Sequence, residues 1–368
     1  MGEPQKRLTS LDALRGFDMF WIVGGASVFI ALANLTDWGV LNWFAHQLHH
    51  AEWDGFRFFD NIFPLFLFIA GVSMPFSFAK RVENGQTWKQ IYKHIFIRAG
   101  LLVLFGFIYN GLLQFNFESM RYASVLGRIG LGWLFAALIY YHTSLRGQII
   151  WFVAILLLYW AALMLIPVPG FGAGDLSMQG SLVGYVDRML LPGVLYKTVH
   201  DPEGILSTIP AVATALMGVF TGRFLRYVSE FWTPARKAAA ILTAGALSMG
   251  LGALWGLVFP VNKNLWTSSF VLVAGGLSLI LLAVFYYVID VRGMKKWAFP
   301  FVVIGLNPIT IYMCHGGFID FGATSEYVFG GVMSLAGAAE PLIAAVTYVL
   351  VGWLFLYALY QLKLFLKV

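Results

Sequence analysis

Residues 57–79 read RFFDNIFPLFLFIAGVSMPFSFA, and they place the chain among integral membrane proteins. Beyond Asp60 this stretch contains no further charged residue as far as Ala79. A helix needs about 20 mostly apolar residues to cross the hydrocarbon core of a bilayer. A membrane β-strand is much shorter and alternates apolar with polar residues. The stretch therefore predicts a transmembrane helix with its charged residues near one end.

Other stretches of the chain have the same character. The predicted spans are 11–34, 57–79, 94–113, 124–143, 147–166, 205–224, 238–258, 267–289, 298–317 and 341–361. The chain is 60% hydrophobic and 11% charged, whereas a soluble domain is about one quarter charged. We therefore predict an all-α integral membrane protein with about ten transmembrane helices, in which residues 1–368 form a single domain.

Basic residues predict the orientation of these helices, because cytoplasmic loops are enriched in Lys and Arg. One set of alternating connections carries sixteen basic residues, namely Lys6, Arg7, Lys80, Arg81, Lys89, Lys93, Arg146, Arg223, Arg226, Arg236, Lys237, Arg292, Lys295, Lys296, Lys363 and Lys367. The other set carries four, namely Arg121, Arg188, Lys197 and Lys263. Both termini are therefore predicted to be cytoplasmic. Topology explains the net charge of +6, so we expect no nucleic-acid partner.

The first predicted outer connection holds side chains suited to acid–base chemistry. Histidine is a general base near neutral pH, and His50 lies just before the second span, with Asp60 about one turn inside it. A carboxylate at that depth is costly unless it is paired, so Asp60 is a candidate to orient His50. A solvated loop histidine beside a helix-capping aspartate would give the same pattern. Trp53 and Asp54 are candidates for substrate binding.

A metal site is not expected. His46, His49 and His50 do not have the spacing of a metal-ligand set. The single cysteine, Cys314, excludes a disulfide and a cysteine-based metal site within one chain.

Two other outer segments contain candidates for substrate binding. Asp201 and Glu203 precede the sixth span and would suit an amine or a sugar, although carboxylates at a helix start are also ordinary capping residues. Asn262, Asn264 and Trp266 form a short turn before the eighth span. Amides and an indole can hold a sugar, and a turn with an interfacial tryptophan gives the same pattern.

Three further substrate-binding candidates lie within spans. Arg128 is near the outer start of the fourth span, where a functional role and a structural ion pair are both open. Asn307 and His315 lie about 12 Å apart along the ninth span. Asn307 precedes Pro308, where we predict a kink that frees backbone groups.

Charged residues also occur at the cytoplasmic end of the first span. Arg15 can pair with Asp12 or with Asp18 at i,i+3 spacing. Asp12, Arg15 and Arg98 are candidates to bind an anionic cofactor. A snorkelling arginine with helix caps is the alternative.

Several motifs resemble those of one enzyme family. They are LTSLDALRG at 8–16, HAEWDG at 50–55, DNIFP at 60–64, FIAGVS at 68–73, GRI at 127–129, PVPG at 167–170, GYVDR at 184–188, DPEGI at 201–205, PVNKNLW at 260–266 and GLNP at 305–308. In this order they resemble the transmembrane acyltransferases related to heparan-α-glucosaminide N-acetyltransferase, in the form of a bacterial, DUF5009-like homologue.

The resemblance implies a function for the single domain at 1–368. Acetyl-CoA, as a co-substrate, would bind from the cytoplasmic side, and its acetyl group would reach the amine of a terminal glucosamine near the opposite face. The active-site histidine of the family falls on His50. An asparagine expected late in the first helix has no match, because that stretch reads VGGAS at 23–27. A neighbour would have to replace it, or the acceptor differs.

The mechanism is open between two routes. His50 would act as general base in a direct transfer, with Asp60 orienting it, or would itself be acetylated and give ping-pong kinetics. Asn262, Asn264 and Asn307 are candidates to stabilise an oxyanion or to hold sugar hydroxyls. Two other functions stay open: an O-acyltransferase for an extracytoplasmic polysaccharide, and a secondary transporter for a sugar or amine.

The surroundings of the protein are expected from the same resemblance. The chain lacks the lumenal N-terminal extension of the lysosomal enzyme, so we expect a bacterial inner membrane with lipid as its solvent and an aminosugar or glycan acceptor in the periplasm. A glycine-rich lipid-facing surface is compatible with a homodimer.

Overall fold

The structure, a computed structural model, describes residues 8–366. Three of the predicted cytoplasmic basic residues, Lys6, Arg7 and Lys367, lie outside the described residues. Within residues 8–366 the regular structure is helical, and the only β-pairing consists of two isolated bridges. The all-α prediction is confirmed.

The helices follow one another in a simple order. They are α1 (Thr9–Phe20), α2 (Ala26–Thr36), α3 (Gly39–Gln47), α4 (Ile62–Glu83), α5 (Trp88–Tyr109), α6 (Val125–His142), α7 (Leu145–Leu165), α8 (Leu182–Leu190), α9 (Thr208–Arg226), α10 (Pro234–Trp255), α11 (Ser268–Phe285), α12 (Phe299–Leu306), α13 (Pro308–Met313), α14 (Phe321–Leu335) and α15 (Glu340–Gln361). A π-helical turn at Trp21–Gly25 joins α1 to α2, and a 3₁₀ turn at Phe58–Asn61 leads into α4.

Length and hydropathy identify the membrane spans among residues 8–366. Nine helical segments are long and apolar enough to cross a bilayer, and a tenth span forms if the bent pair Lys296–Leu306 and Pro308–Phe318 is counted as one. The prediction of about ten spans is confirmed. With the bent pair counted as the tenth span, the start of α1 and the end of α15 fall on one side, which we call the terminal side. The connection that contains His50 is then on the opposite side.

The predicted kink at Pro308 is confirmed as a sharp bend. The segments before and after Asn307 are inclined at 67° to each other. Proline lacks the backbone N–H that would continue the helical hydrogen bonds, and its ring clashes with the preceding turn. The bend turns α13 toward the cavity described below.

Helices α4 and α9 form the centre of the bundle and pack directly against each other. Gly71 of α4 and Gly218 and Gly222 of α9 lie at this contact, where an added Cβ atom would overlap a backbone carbonyl of the facing helix. Small residues allow such close approach in membrane proteins, where dispersion contacts drive helix association. The central pair carries Asp60 at the start of its first helix.

Three helices in the outer connections were not predicted. Helix α8 begins where the Ser181 hydroxyl accepts from the Gly184 N–H, and α14 begins where the Asp320 carboxylate accepts from the Ala323 N–H. With 9 residues in α3, 9 in α8 and 15 in α14, all are shorter than a membrane span. A search for spans therefore passes over them, although capping residues mark two of their starts.

Candidate active site

A cavity of about 630 Å³ opens on the side of the bundle opposite the terminal side. Its polar wall comes from the connecting segments and the adjoining ends of spans, and is formed by His50, Glu52, Asp60, Arg121, Lys197, Glu203, Lys263, Asn264 and His315. Its apolar wall comes from the helices and includes Met19, Ile62, Phe63, Phe66, Leu126, Ile129 and Ile309. A concave, mostly apolar space with a few convergent polar groups is typical of a small-molecule site.

His50 and Asp60 form a hydrogen-bonded pair in the wall of this cavity. His50 Nδ1 lies 2.8 Å from Asp60 Oδ1, so the predicted pairing of the two side chains is confirmed. The carboxylate is 1% exposed, whereas the imidazole is 52% exposed. Because a carboxylate acceptor faces Nδ1, the proton of a neutral imidazole resides there, and Nε2 keeps its lone pair.

Asp60 is held in place by its second oxygen. Oδ2 accepts the backbone N–H groups of Ala51 at 3.2 Å and Arg57 at 3.0 Å. The Arg57 guanidinium in turn donates to the His50 carbonyl at 2.9 Å. These contacts fold residues 50–60 into a loop in which the carboxylate is fixed, so the imidazole orientation is set by the backbone.

Lys263 completes a three-membered cluster with this pair. Its Nζ atom lies 3.0 Å from Nδ1 and 3.3 Å from Nε2 of His50, and 3.6 Å from Asp60 Oδ1. Burial lowers the pKa of Lys263, and the nearby Asp60 and Glu203 carboxylates oppose that shift. No other lysine is this close to His50 in the described part of the chain.

The loop that carries Lys263 is tied to the loop that carries His50. Asn262 Nδ2 donates to Asp54 Oδ1 at 3.0 Å, and the Gly55 N–H donates to the Val261 carbonyl at 2.8 Å. Asn262 Oδ1 also accepts the Leu265 N–H at 2.8 Å. The two loops therefore position the cluster together, although 213 residues separate Lys263 from His50.

An ion-paired cluster contributes another part of the polar wall. Arg121 Nε donates to Asp201 Oδ2 at 2.7 Å, and the same guanidinium also pairs with Glu203. Burial alone would lower the pKa of Arg121, but its two carboxylate partners raise it above the ordinary value. Burial would raise the pKa of Asp201, and the Arg121 pair together with backbone donors lowers it instead. Both charges are therefore retained across the physiological pH range.

Behind this wall lie groups whose charges are disfavoured. Burial raises the pKa of Asp187 to about 6, although its Oδ1 accepts the Ile205 N–H at 2.9 Å. Burial also lowers the pKa of His200, whose ring lies against Trp53 at a centroid distance of 5.0 Å. Both side chains are fully buried, so they support the wall.

The structure brings five of the predicted site residues into the cavity wall. They are His50, Asp60, Glu203, Asn264 and His315. His315 Nδ1 lies 2.7 Å from the Tyr348 hydroxyl, which leaves its other ring nitrogen for a further partner.

The other predicted outer-side residues lie behind the wall and make structural contacts. Trp53 Nε1 donates to the Leu176 carbonyl at 3.0 Å, and Trp266 Nε1 donates to Thr214 at 3.2 Å. The Arg128 guanidinium lies over the Trp266 ring at 4.9 Å and donates to Ser207 and to the Gly204 carbonyl. Asp54 accepts a hydrogen bond from Asn262, and Asp201 forms an ion pair with Arg121.

The Asn307 side chain is hydrogen-bonded to the backbone of residues 364–366, after α15. Its Nδ2 donates to the Leu364 carbonyl at 2.9 Å, and its Oδ1 accepts the Leu366 N–H at 3.0 Å. The side chain is 1% exposed. The amide therefore fastens the segment after α15 to the bend between α12 and α13.

The three predicted anion-binding residues lie nearer the terminal side. Arg15 Nη1 is 3.3 Å from Asp12 Oδ1, and Nη2 is 3.3 Å from the Ser73 hydroxyl. Of the two aspartates considered for Arg15, the structure places Asp12 next to it. The Arg98 guanidinium lies over the Trp133 ring at 4.4 Å.

Two further basic groups join this region. Arg98 is close enough to interact electrostatically with Arg15 and Arg81, and His94 interacts with Arg81 and Arg98. Along α1 and α6, Arg15 and Trp133 lie four residues from Met19 and Ile129 of the cavity wall. Four helical residues rise by about 6 Å, so the basic region lies about one turn below the apolar end of the cavity.

Sequence reasoning missed several residues of the cavity. Arg121, Lys197, Tyr109, Tyr312 and Lys263 line it but were not proposed as site residues. Lys263 lies between Asn262 and Asn264, which were proposed as site residues. It is also one of only four basic residues in the predicted outer connections, and this rarity could have identified it. The Tyr109 and Tyr312 rings stack at 4.7 Å, and no local pattern predicts that contact.

Fold and site together define a polytopic all-α membrane protein with a histidine–carboxylate–lysine cluster in the polar wall of an open cavity. Residues 7–112 match a family described as a domain of unknown function, DUF5009. The chain is 29% identical over 421 aligned positions to heparan-alpha-glucosaminide N-acetyltransferase of Mus musculus. It is 28% identical over 416 positions to the protein of the same name from Homo sapiens. The predicted relationship to these proteins is confirmed.

The two matches cover a larger share of this chain than of the related proteins. They cover 100% and 98% of this chain, but 62% and 60% of the mouse and human proteins. The chain thus spans about three fifths of the length of these relatives. The name of these relatives describes acetyl transfer to a glucosaminide.

Proposed function

We propose that the protein transfers an acetyl group from acetyl-CoA, bound from the cytoplasmic side, to the amine of glucosamine or a terminal glucosaminide on the opposite side. One observation carries the proposal: His50 holds its Nδ1 proton against the buried Asp60 and presents Nε2 at the wall of a 630 Å³ cavity. A base oriented in this way suits the removal of a proton from an attacking amine. The names of the related proteins support the same reaction.

His50 acts as general base in this reaction. The amine nitrogen bonds to the acetyl carbon, and the amine proton passes to His50 Nε2. The carbon–sulfur bond then breaks with its electron pair on sulfur, and the same proton passes from His50 to the CoA thiolate. Asp60 stabilises the imidazolium that exists between the two transfers, because its Oδ1 is 2.8 Å from Nδ1.

The polar wall offers partners for an aminosugar. Glu203 and Glu52 line the cavity and attract the ammonium form of the acceptor, which releases one proton to water before the neutral amine attacks. Asn264 and His315 offer hydrogen bonds to hydroxyls. Glu203 also pairs with Arg121, which fixes the carboxylate position. A hydroxyl acceptor would use the same base, so the related O-acyl transfer is an outcome of the test below.

The basic region near the terminal side suits the phosphates of the donor. Arg15, Arg81 and Arg98 bring positive charge together, and guanidinium groups bind phosphate oxygens in bidentate fashion. Asp12 orients Arg15 from 3.3 Å. The region lies under the apolar end of the cavity, so a donor held there would extend its acetyl end toward His50. The basic connections support a cytoplasmic location for the terminal side.

The test is acetyl transfer by the detergent-purified protein from labelled acetyl-CoA to glucosamine. We expect product from the wild type and a loss of at least about 100-fold in His50→Ala. His49→Ala is the matched control, because His49 is an exposed neighbour of the same residue type. We expect it to keep wild-type activity.

Three other results of this assay would each lead to a different conclusion. Thioester turnover without an acetylated amine would identify a hydroxyl acceptor. A stable acetylated protein that disappears when glucosamine is added would replace direct transfer by an acetyl-histidine route. Neither binding nor turnover of acetyl-CoA would contradict the proposal and favour sugar or amine transport.

A further inference from the structure

The position of the Lys263 ammonium relative to the imidazole is unusual for a simple ion pair. Its Nζ atom is at nearly equal distances from the two ring nitrogens, 3.0 Å and 3.3 Å. The ammonium is therefore close to both ring nitrogens and not to one of them alone. A positive charge thus stands beside Nε2, the atom at which His50 would take the proton of a bound acceptor.

The charges of the cluster show what this ammonium can do. A general base must be uncharged before it takes a proton, so the reaction starts from a neutral His50 with Lys263 and Asp60 as opposite charges beside it. When an amine attacks a thioester, His50 becomes positive and the acyl oxygen becomes negative. With Lys263 present, two positive and two negative charges coexist at the tetrahedral stage. Without it, the partly buried site would hold one uncompensated negative charge, which is costly at low dielectric.

We infer that Lys263 is a catalytic residue of the proposed acetyl transfer, whose ammonium donates to the acyl oxygen and stabilises the oxyanion of the tetrahedral intermediate. The inference rests on the proposed function and adds the electrophilic group that the His50–Asp60 pair lacks. It applies to an amine and to a hydroxyl acceptor, because the same oxyanion forms in both reactions.

The setting of Lys263 is rigid, as such a role requires. The Asn262–Asp54 and Gly55–Val261 hydrogen bonds fasten its loop to the His50 loop. Asp60 contributes attraction from 3.6 Å and is itself fixed by two backbone donors. A preorganised donor needs little rearrangement at the moment of reaction, and removal of one such donor lowers kcat by about 100- to 1,000-fold in characterised enzymes.

The charged groups around Lys263 also predict a pH dependence. It interacts with His50 and Asp60 from the first outer connection, with Glu203 from the segment before α9 and with Arg128 from α6. Burial and Arg128 lower the pKa of its ammonium, and the two carboxylates oppose them. Loss of the ammonium proton should therefore produce an alkaline decline in kcat below the pH at which an ordinary lysine titrates.

The experiment compares Lys263→Met and Lys263→Arg with the wild type, using acetyl-CoA and glucosamine. We expect Lys263→Met to lose about 100-fold or more in kcat while the Kd for acetyl-CoA stays within about threefold, because the lost interaction forms only at the transition state. Lys263→Arg keeps the charge. It should recover part of the lost kcat and shift the alkaline decline upward, since a guanidinium stays protonated.

Controls separate a catalytic role of Lys263 from a structural role in holding the two loops. Lys295→Met removes the same charge at an exposed residue on the terminal side and should leave kcat unchanged. A Lys263→Met protein with near-wild-type kcat would overturn the inference while the proposed function stands. So would a loss matched by a proportional rise in Kd, or by a lower melting temperature of both variants. A wild type without transfer activity would contradict the proposed function, and the inference with it.

Discussion

At the scale of single residues, Asp60 has a role that can be separated from simple charge. One oxygen faces His50 Nδ1 and the other accepts two backbone N–H groups. In Asp60→Asn, the amide oxygen must face the backbone donors, so the NH₂ group faces the imidazole. Nδ1 then becomes an acceptor, and the imidazole proton moves to Nε2, where it blocks the base.

We therefore expect Asp60→Asn to lower kcat by about 100-fold or more with a small change in KM. Asp37→Asn is the control, because Asp37 is exposed and has a φ of 47°, which asparagine also accepts. Steady-state kinetics with both substrates give the comparison. Equal kcat in wild type and Asp60→Asn would show that Asp60 does not fix the tautomer of His50.

A second residue-scale prediction concerns stability and pH. Burial raises the pKa of Asp187 to about 6 in the folded protein, while an unfolded aspartate titrates near 4. A raised folded pKa gives stability that is present at low pH and is lost as pH rises through about 4 to 6. Asp187→Asn removes this loss and keeps an oxygen for the Ile205 N–H.

The expected result is a variant whose melting temperature matches the wild type near pH 4 and exceeds it by a few degrees at pH 7.5. Two pKa units correspond to about 3 kcal/mol, and this is an upper bound on the gain because Arg128 attracts the ionised carboxylate. Thermal unfolding in detergent at both pH values measures it. A variant less stable than the wild type at pH 7.5 would contradict a destabilising charge on Asp187.

Side-chain pairs close in sequence could be predicted, whereas pairs far apart in sequence could not. The His50–Asp60 pair was predictable because the two residues are ten positions apart and a carboxylate inside a span demands a partner. The Arg121–Asp201 pair and the Lys263 contact join residues 80 and 213 positions apart. These contacts depend on how whole helices pack together, which a local sequence pattern does not predict.

At the scale of elements, the contact between α4 and α9 sets the position of Asp60. A methyl group at Gly218 would overlap the carbonyl oxygen of Phe68, so the two backbones touch directly. Gly218→Ala must separate the helices or distort them, and overpacking of this kind costs about 1–3 kcal/mol. We expect a lower melting temperature and a reduced kcat, because α4 begins at the site.

Gly250→Ala is the matched control for this prediction. Gly250 lies within α10, and a methyl group there has no described atom outside its own helix within 4 Å. Alanine is a better helix former than glycine by about 1 kcal/mol, so this variant should be as stable as the wild type or more so. Equal effects of the two substitutions on melting temperature would argue against close packing at Gly218.

Elements differ in how far the sequence predicted them. The spans were predictable because about 20 consecutive apolar residues leave few alternatives in a bilayer. The bend at Asn307 was predictable because Pro308 cannot continue the helix. The short helices α3, α8 and α14 were missed because all three are shorter than a membrane span. The clamp between Asn307 and residues 364–366 was likewise beyond local patterns.

At the scale of the whole molecule, the proposal requires two faces with different chemistry. The His50 cavity opens on one side, and the basic region lies toward the other. The transfer is vectorial only if the terminal side is cytoplasmic, which the distribution of Lys and Arg predicts. Successive connections alternate between the two faces of the membrane, so one connection from each set reports the orientation of the whole bundle.

The single cysteine makes this topology testable. Cys314 is buried and can be replaced by alanine to give a cysteine-free background. Ser119→Cys then places an exposed thiol between α5 and α6, on the side of the cavity, and Glu230→Cys places one between α9 and α10. In intact cells, a membrane-impermeant maleimide should label the first variant, while the second should react only after permeabilisation. Retained acetyltransferase activity confirms that each variant is folded. The reverse labelling pattern would place the basic region outside the cell, where acetyl-CoA is not available, and would contradict the proposed direction of transfer.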